Sequence, residues 1–168
     1  MSAVEDVSRR ASAVGKIGHE AEIPNPALEE FRFLLGTWRT EGTHPQVPGT
    51  TFHGRTSFEF EFGGAFLVMR SEIDEPEVPS GLAIFGSDDA GGPWSMVYFD
   101  ERGVSRRYAV TVSANQIHWE RDDPAFSQTT TLRAGSDGRT MTSTGRMRRN
   151  DGQWEDDLAL TYRRDETD

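Results

Sequence analysis

Arg106, Tyr108 and Val110 recur at intervals of two residues, as do Phe126, Gln128, Thr130 and Leu132, and as do Met141 and Ser143. In a strand, residues two apart share a face, so each polar group here lies on the same side as large apolar ones. A polar group on an apolar face needs a partner once it is buried. A guanidinium, an amide and hydroxyls so placed would orient the carboxylate or hydroxyl of a mostly apolar ligand. The structural alternative for any one of them is that Arg106 lies at a rim and the hydroxyls satisfy one another.

Other chemistries find less support. His118, Glu120 and Asp122 share a face in "HWERDD", but alternate strand residues are about 7 Å apart, too far to hold one ion without bending the backbone. This face is opposite Ile117 and Trp119, so it reads as exposed and charged, and no metal site is expected. His19 falls in a polar N-terminal arm, and His44 and His53 flank the loop after the first strand, where each reads as solvated. There is no nucleophile elbow, zinc helix motif, Walker loop or dinucleotide fingerprint, so no catalytic residue is assigned. An isomerase, cyclase or dehydratase would need an inward acid or base, for which Asp157, Glu72 and Tyr108 are the candidates.

The bulk numbers narrow the partners. At 168 residues, with 35% hydrophobic and 27% charged residues, the chain is one soluble domain long enough to bury a core and a cavity. A formal net charge of −10 argues against nucleic acid and anionic membrane as partners, since both require a concentrated positive field. Zero cysteines remove disulfides and thiolate chemistry and suit a reducing compartment. "MSAVEDVSRRASAVGKIG" holds no apolar core of signal-peptide length, so a cytoplasmic location is expected.

The elements that must position these groups follow from punctuation. Residues 1–24 read as a flexible arm and residues 25–165 as one domain. In "PNPALEEFRFLLG", Asn25 caps, Pro26 takes the first helical position and Gly36 terminates, which predicts a short helix over residues 26–35. Beyond it, turn signals every eight to twelve residues predict an antiparallel meander, with strands near 38–44, 52–62, 65–74, 81–87, 94–100, 104–113, 116–121, 126–133, 139–148 and 153–163. Ten strands in one domain must close, giving an all-β, up-and-down antiparallel barrel with the helix closing one end.

Alternation gives the strands their faces. Phe52, Phe58, Phe60 and Phe62 share one side; Trp94, Met96 and Tyr98 align; so do Ile117 with Trp119 and Met141 with Met147. A ten-stranded barrel is wider than side chains readily fill, so these faces line a cavity. The expected ligand-binding set is Phe58, Phe60, Trp94, Tyr98, Arg106, Tyr108, Trp119, Gln128 and Met141.

The helix, "LLGTWRTEG" and a meander ending in Tyr162-Arg163-Arg164 together resemble the calycins, the lipocalins and fatty-acid-binding proteins. The nearest likeness is to nitrobindin-like and bacterial lipocalin-like domains, which share Gly63-Gly64 before an apolar strand. The resemblance implies that Gly36 and Trp38 open the first strand and that Arg163 or Arg164 packs over the Trp38 ring. It also implies an interior ligand. In nitrobindin a last-strand histidine holds haem; Asp157 stands in its place here, and a carboxylate is a poor substitute for imidazole on ferric haem, so no cofactor is expected. The resemblance would turn Asp157, Ala159 and Thr161 inward, whereas the apolar pattern turns Leu158, Leu160 and Tyr162 inward.

Together these readings predict a non-enzymatic barrel that binds a small hydrophobic or amphipathic molecule. The rivals are an enzyme on the same barrel, haem binding, and a fully packed interaction module that forms a homodimer through a strand face.

Overall fold

The computed structural model describes residues 17–18, 22–87 and 91–166, so most of the arm expected over residues 1–24, His19 included, lies outside the described residues. Ten antiparallel strands form one closed barrel: β1 (Gly36–Thr43), β2 (Phe52–Glu61), β3 (Phe66–Ile73), β4 (Gly81–Ser87), β5 (Trp94–Asp100), β6 (Ser105–Ser113), β7 (Gln116–Arg121), β8 (Phe126–Ala134), β9 (Thr140–Arg149) and β10 (Glu155–Arg164). Each strand pairs with its successor, and β1 pairs with β10 to close the cylinder. Closure leaves no ladder with unpaired donors and acceptors, the hazard of a long open sheet. No helix among the described residues is long and apolar enough to cross a membrane.

The strands alternate as the sequence pattern requires. In β9, Met141, Ser143, Gly145 and Met147 are buried while the residues between them are more exposed. Phe62 departs from this pattern. β2 ends at Glu61, and Phe62 enters the turn with φ 53°, followed by Gly63 and Gly64, also at positive φ. Alternation stops with the strand, so Phe62 is 75% exposed and packs edge-on to Phe66, 6.0 Å away, instead of joining Phe52 and Phe58 inside.

The helix over Pro26–Leu34 is a 3-10 helix, and its apolar residues explain why. Leu28, Phe31 and Leu34 recur every three residues, the period at which 3-10 side chains eclipse, and all three are buried. Asn25 starts it by accepting the Ala27 N–H at 3.0 Å. Phe31 inserts edge-on against Trp94, with ring centroids 4.8 Å apart, so the helix plugs one end of the barrel.

At that plugged end the chain turns through Gly36, whose φ of +111° favours glycine, into Trp38, which is 1% exposed. Trp38 Nε1 donates to the Leu34 carbonyl at 2.8 Å. Of the two arginines the resemblance offered, Arg164 lies over the ring, its Cζ 4.2 Å from the centroid, and its Nη1 donates to the Leu35 carbonyl at 2.8 Å. Arg163 is exposed on the outer face.

β10 carries one irregularity. Asp156 pairs with Arg146 and Ala159 with Thr144, so Asp157 and Leu158 together face the single residue Gly145, a β-bulge. A Cβ on Gly145 would lie 3.3 Å from Asp157 Cβ and 3.1 Å from the Leu158 carbonyl, so the missing side chain makes room for the extra residue. The bulge resolves the two conflicting expectations for this strand. Leu160 and Tyr162 are buried as the pattern requires, and Asp157 is buried as well, at 8%.

Candidate functional site

The antiparallel order places the starts of β2, β4, β6, β8 and β10 at the end of the barrel away from the 3-10 helix, and the loops there carry His44, Val78, Pro79 and Arg102. Beneath these loops the barrel encloses a cavity of about 170 Å³. It opens into a mouth of about 420 Å³, and the two share Val78, Pro79, Tyr98, Arg102, Arg106, Gln128, Asp157 and Leu158. The inner wall is partly apolar, with Met69, Met96, Trp119 and Leu160, and partly hydroxylated, with Thr56, Ser71, Thr130 and Ser143.

A chain of hydrogen bonds crosses the boundary between cavity and mouth. Tyr108 donates its hydroxyl proton to Gln128 Oε1 at 2.6 Å, and Gln128 Nε2 donates to Asp157 Oδ2. The second carboxylate oxygen lies 2.7 Å from His44 Nε2. His44 Nδ1 accepts the Gln46 amide N–H at 3.0 Å, so the ring proton sits on Nε2 and donates to Asp157. His44 is therefore not the solvated loop residue its sequence position suggests: its side chain is 17% exposed and its partner's 7%. The bulge that turns Asp157 inward gives this histidine its partner.

The cations at the mouth differ in how they are neutralised. Arg102 Nη2 contacts Asp100 Oδ2 at 2.6 Å, and the same carboxylate accepts the Tyr98 hydroxyl at 3.1 Å. Among the described residues Arg106 forms no ion pair with a carboxylate; its Cζ stacks 4.1 Å from the Phe126 ring centroid, which holds it at the rim without consuming its charge. Burial raises the Tyr98 phenol far above its ordinary value, with the Asp100 carboxylate adding to the effect. Burial also raises Tyr108, against the opposing pull of the Arg106 guanidinium, and pushes Tyr162 up to about 12. All three phenols thus stay protonated donors at neutral pH.

The structure brings together Tyr98, Arg106, Tyr108, Trp119 and Gln128 of the expected set along the cavity. Phe58, Phe60, Trp94 and Met141 lie elsewhere. Phe58 and Met141 are fully buried in the core cluster, and Phe60 and Trp94 pack against it, Trp94 beneath the plugging helix. Their inward parity was legible, but the helix fills the space they face. Glu72 is exposed on the outside of β3, which removes it as an inward acid. His53 is exposed and bonded to Glu75, and His118 bonds Thr131 Oγ1 at 2.9 Å. No group of three or more potential ligands among the described residues is arranged to hold a metal ion. Thr56 was not singled out, although it shares its parity with Phe52 and Phe58; its Oγ1 is buried and has no hydrogen-bond partner among the described residues. Thr40 Oγ1 is likewise without a partner among the described residues, and Thr40 does not border the cavity.

No protein-family model matches the chain, and no curated protein matches it. A solved structure does: Rv2717c from M. tuberculosis is similar with a TM-score of 0.61 at 19% sequence identity, over 83% of this chain and 98% of that one. At that identity the likeness shows the barrel fold and nothing finer.

Proposed function

We propose that the protein binds a small amphipathic molecule, with its apolar body inside the barrel and an anionic or strongly hydrogen-bonding head at the mouth. One observation carries this reading: an apolar-walled cavity opens beside Arg106, a guanidinium stacked on Phe126 and paired with no carboxylate among the described residues. In a chain of net charge −10, a cation left unneutralised at the lip of a cavity suits an anion more than it suits stability. Tyr98 and Gln128 flank it with further polar groups. An apolar cavity of about 150 Å³ holds a benzene molecule, so about 170 Å³ accepts a ring or a short branched chain, with the rest of the ligand in the mouth.

Titration with small aromatic and aliphatic carboxylates, followed by tryptophan fluorescence, tests the reading, because Trp119 borders the cavity. A saturable response that weakens in Arg106→Gln supports it. A panel with no saturable response at millimolar concentration overturns it.

Haem is not part of this proposal. Asp157 has both oxygens engaged, and each nitrogen of the nearby His44 ring already has a partner, so neither nitrogen of that ring is free to ligate iron. Two companion proposals keep their sequence grounds: that the barrel is a calycin, on Gly36, Trp38 and Arg164, and that it works in the cytoplasm, on a composition without cysteine.

A second reading has one observation in its favour. Asp157 is a buried carboxylate bordering the cavity, the placement a general base requires. Exchange of an acidic C–H proton of a bound ketone into deuterated solvent, lost in Asp157→Asn, would support it.

A further inference from the structure

We infer that the head of the bound molecule carries two negative charges, as a phosphate monoester or a geminal dicarboxylate does, and that Arg149 joins Arg106 in binding it. The inference rests on the binding reading above and adds the chemical class of the head.

The β8–β9 ladder brings the two arginines to one place. Gln128 pairs with Met147 and, two residues nearer the mouth, Phe126 pairs with Arg149. Residues directly opposite in a ladder share a face, with Cβ atoms about 5 Å apart, so Arg149 continues the inward side of β9 beyond the buried Met147. Arg106 reaches the same Phe126 from β6 and stacks on its ring. Phe126 thus joins a guanidinium stacked on it to an arginine paired with it across the ladder, and both arginines line the mouth.

Neither charge is cancelled within the site. With the Gln46 amide turned so that both its ends are satisfied, its oxygen accepts from Arg149 Nη2 at 3.0 Å and Nη1 at 3.3 Å. That partner is neutral, and among the described residues Arg149 forms no ion pair with a carboxylate. The third arginine of the mouth, Arg102, is neutralised by Asp100, whose side chain is 0% exposed. Among the described residues Asp157 is the one acidic side chain that lines the mouth, and both its oxygens are taken up by His44 and Gln128. Asp157 also borders the inner cavity, whereas Arg149 borders the mouth alone. Repulsion from Asp157 therefore drives an anionic head outward, toward Arg149. A head of one charge answers Arg106 and leaves Arg149 unmatched; a head of two charges offers enough oxygens for both planar forks.

Two matched pairs of probes test this by calorimetry on the full chain at about pH 8. Benzylmalonate is set against 3-phenylpropanoate, which lacks the second carboxylate, and 2-phenylethyl phosphate against its methyl ester, which carries a single charge. At that pH the phosphate monoester is a dianion. In at least one pair the dianion should bind about fivefold more tightly, the gain expected of one more charge-assisted contact at a partly exposed site. A preference confined to one pair identifies the head as dicarboxylate or as phosphate. In Arg149→Gln the preference should fall to about one, whereas Arg163→Gln, which removes a cation from the outer face at the plugged end, should leave it unchanged. Circular dichroism of each variant establishes that the barrel is intact. Equal binding of monoanion and dianion in both pairs overturns the inference and leaves the binding reading standing. A preference that survives in Arg149→Gln, or that falls as far in Arg163→Gln, also overturns it. If no probe binds, the binding reading fails and this inference fails with it.

Discussion

The pair His44 and Asp157 should be energetically coupled, and the coupling can be sized from the hydrogen bonds. Asp157 accepts from His44 Nε2 and from Gln128 Nε2, and His44 is fixed as an Nε2 donor by its Nδ1 bond to the Gln46 amide. Asparagine at 157 presents one acceptor and one donor to two donors, so one bond must be lost. A hydrogen bond to a charged group contributes about 1.5–3 kcal/mol, and relief of the buried charge offsets part of its loss, so Asp157→Asn should cost about 2 kcal/mol. For a chain of this length that is a fall in Tm of about 4–8 °C. The decisive measurement is the double-mutant cycle with His44→Ala in urea, monitored by tryptophan fluorescence. The two changes remove the same bond, so the double mutant should be more stable than the sum of the singles predicts, by about 1 kcal/mol or more. Additivity within about 0.5 kcal/mol, or an unchanged Tm in Asp157→Asn, would refute the relay as a structural unit.

Further outcomes follow from the geometry. Arg164→Met loses bonds to the Leu35 and Gly138 carbonyls and the cation over Trp38, and should cost about 2 kcal/mol in the same urea assay; Gly36→Ala, with φ +111° and a Cβ 2.7 Å from Arg164 Nη1, should cost a comparable amount of about 1–3 kcal/mol. The three tyrosines of the chain are all raised above the ordinary phenol value, so absorbance at about 295 nm should show less tyrosinate at pH 10 than free tyrosine, which is about half ionised there. Because a raised folded pKa favours the native state below the unfolded value and that advantage is lost above it, stability should fall as pH climbs from 10 toward 12. His53 is raised by its hydrogen bond to Glu75, so its NMR titration should lie above 6.5 and move back in Glu75→Gln; the pair favours the native state below pH 6.5 and loses that contribution as pH rises through the folded value.

The barrel was legible in the sequence because each strand repeats the same two-residue period and each turn is marked by glycine, proline, asparagine or aspartate. The plug was legible too, since Asn25, Pro26 and Gly36 bound it, although the three-residue spacing of Leu28, Phe31 and Leu34 makes it a 3-10 helix. Facing failed at Phe62, where a strand pattern runs one residue past its strand. The site was half legible. Arg106, Tyr108 and Gln128 announce themselves as polar groups on apolar faces, but parity cannot tell which inward layers a plug will fill, and so Phe58 and Trp94 could not be separated from Tyr98 and Trp119. His44 was hidden for a different reason. It belongs to a loop, and its partner lies 113 positions away on a strand whose facing depends on one extra residue.

That extra residue is where the fold becomes a site. With regular alternation through β10, the inward set would be Leu158, Leu160 and Tyr162, Asp157 would face solvent, and neither His44 nor Gln128 would have its carboxylate. The bulge turns Asp157 inward while Leu160 and Tyr162 stay in the core, so the barrel gains a charged group without losing apolar wall. The position opposite is Gly145, where a side chain would crowd both bulged residues. The carboxylate, the histidine that meets it and the glycine that makes room for it act as one device. Its product is a polar lip at the mouth.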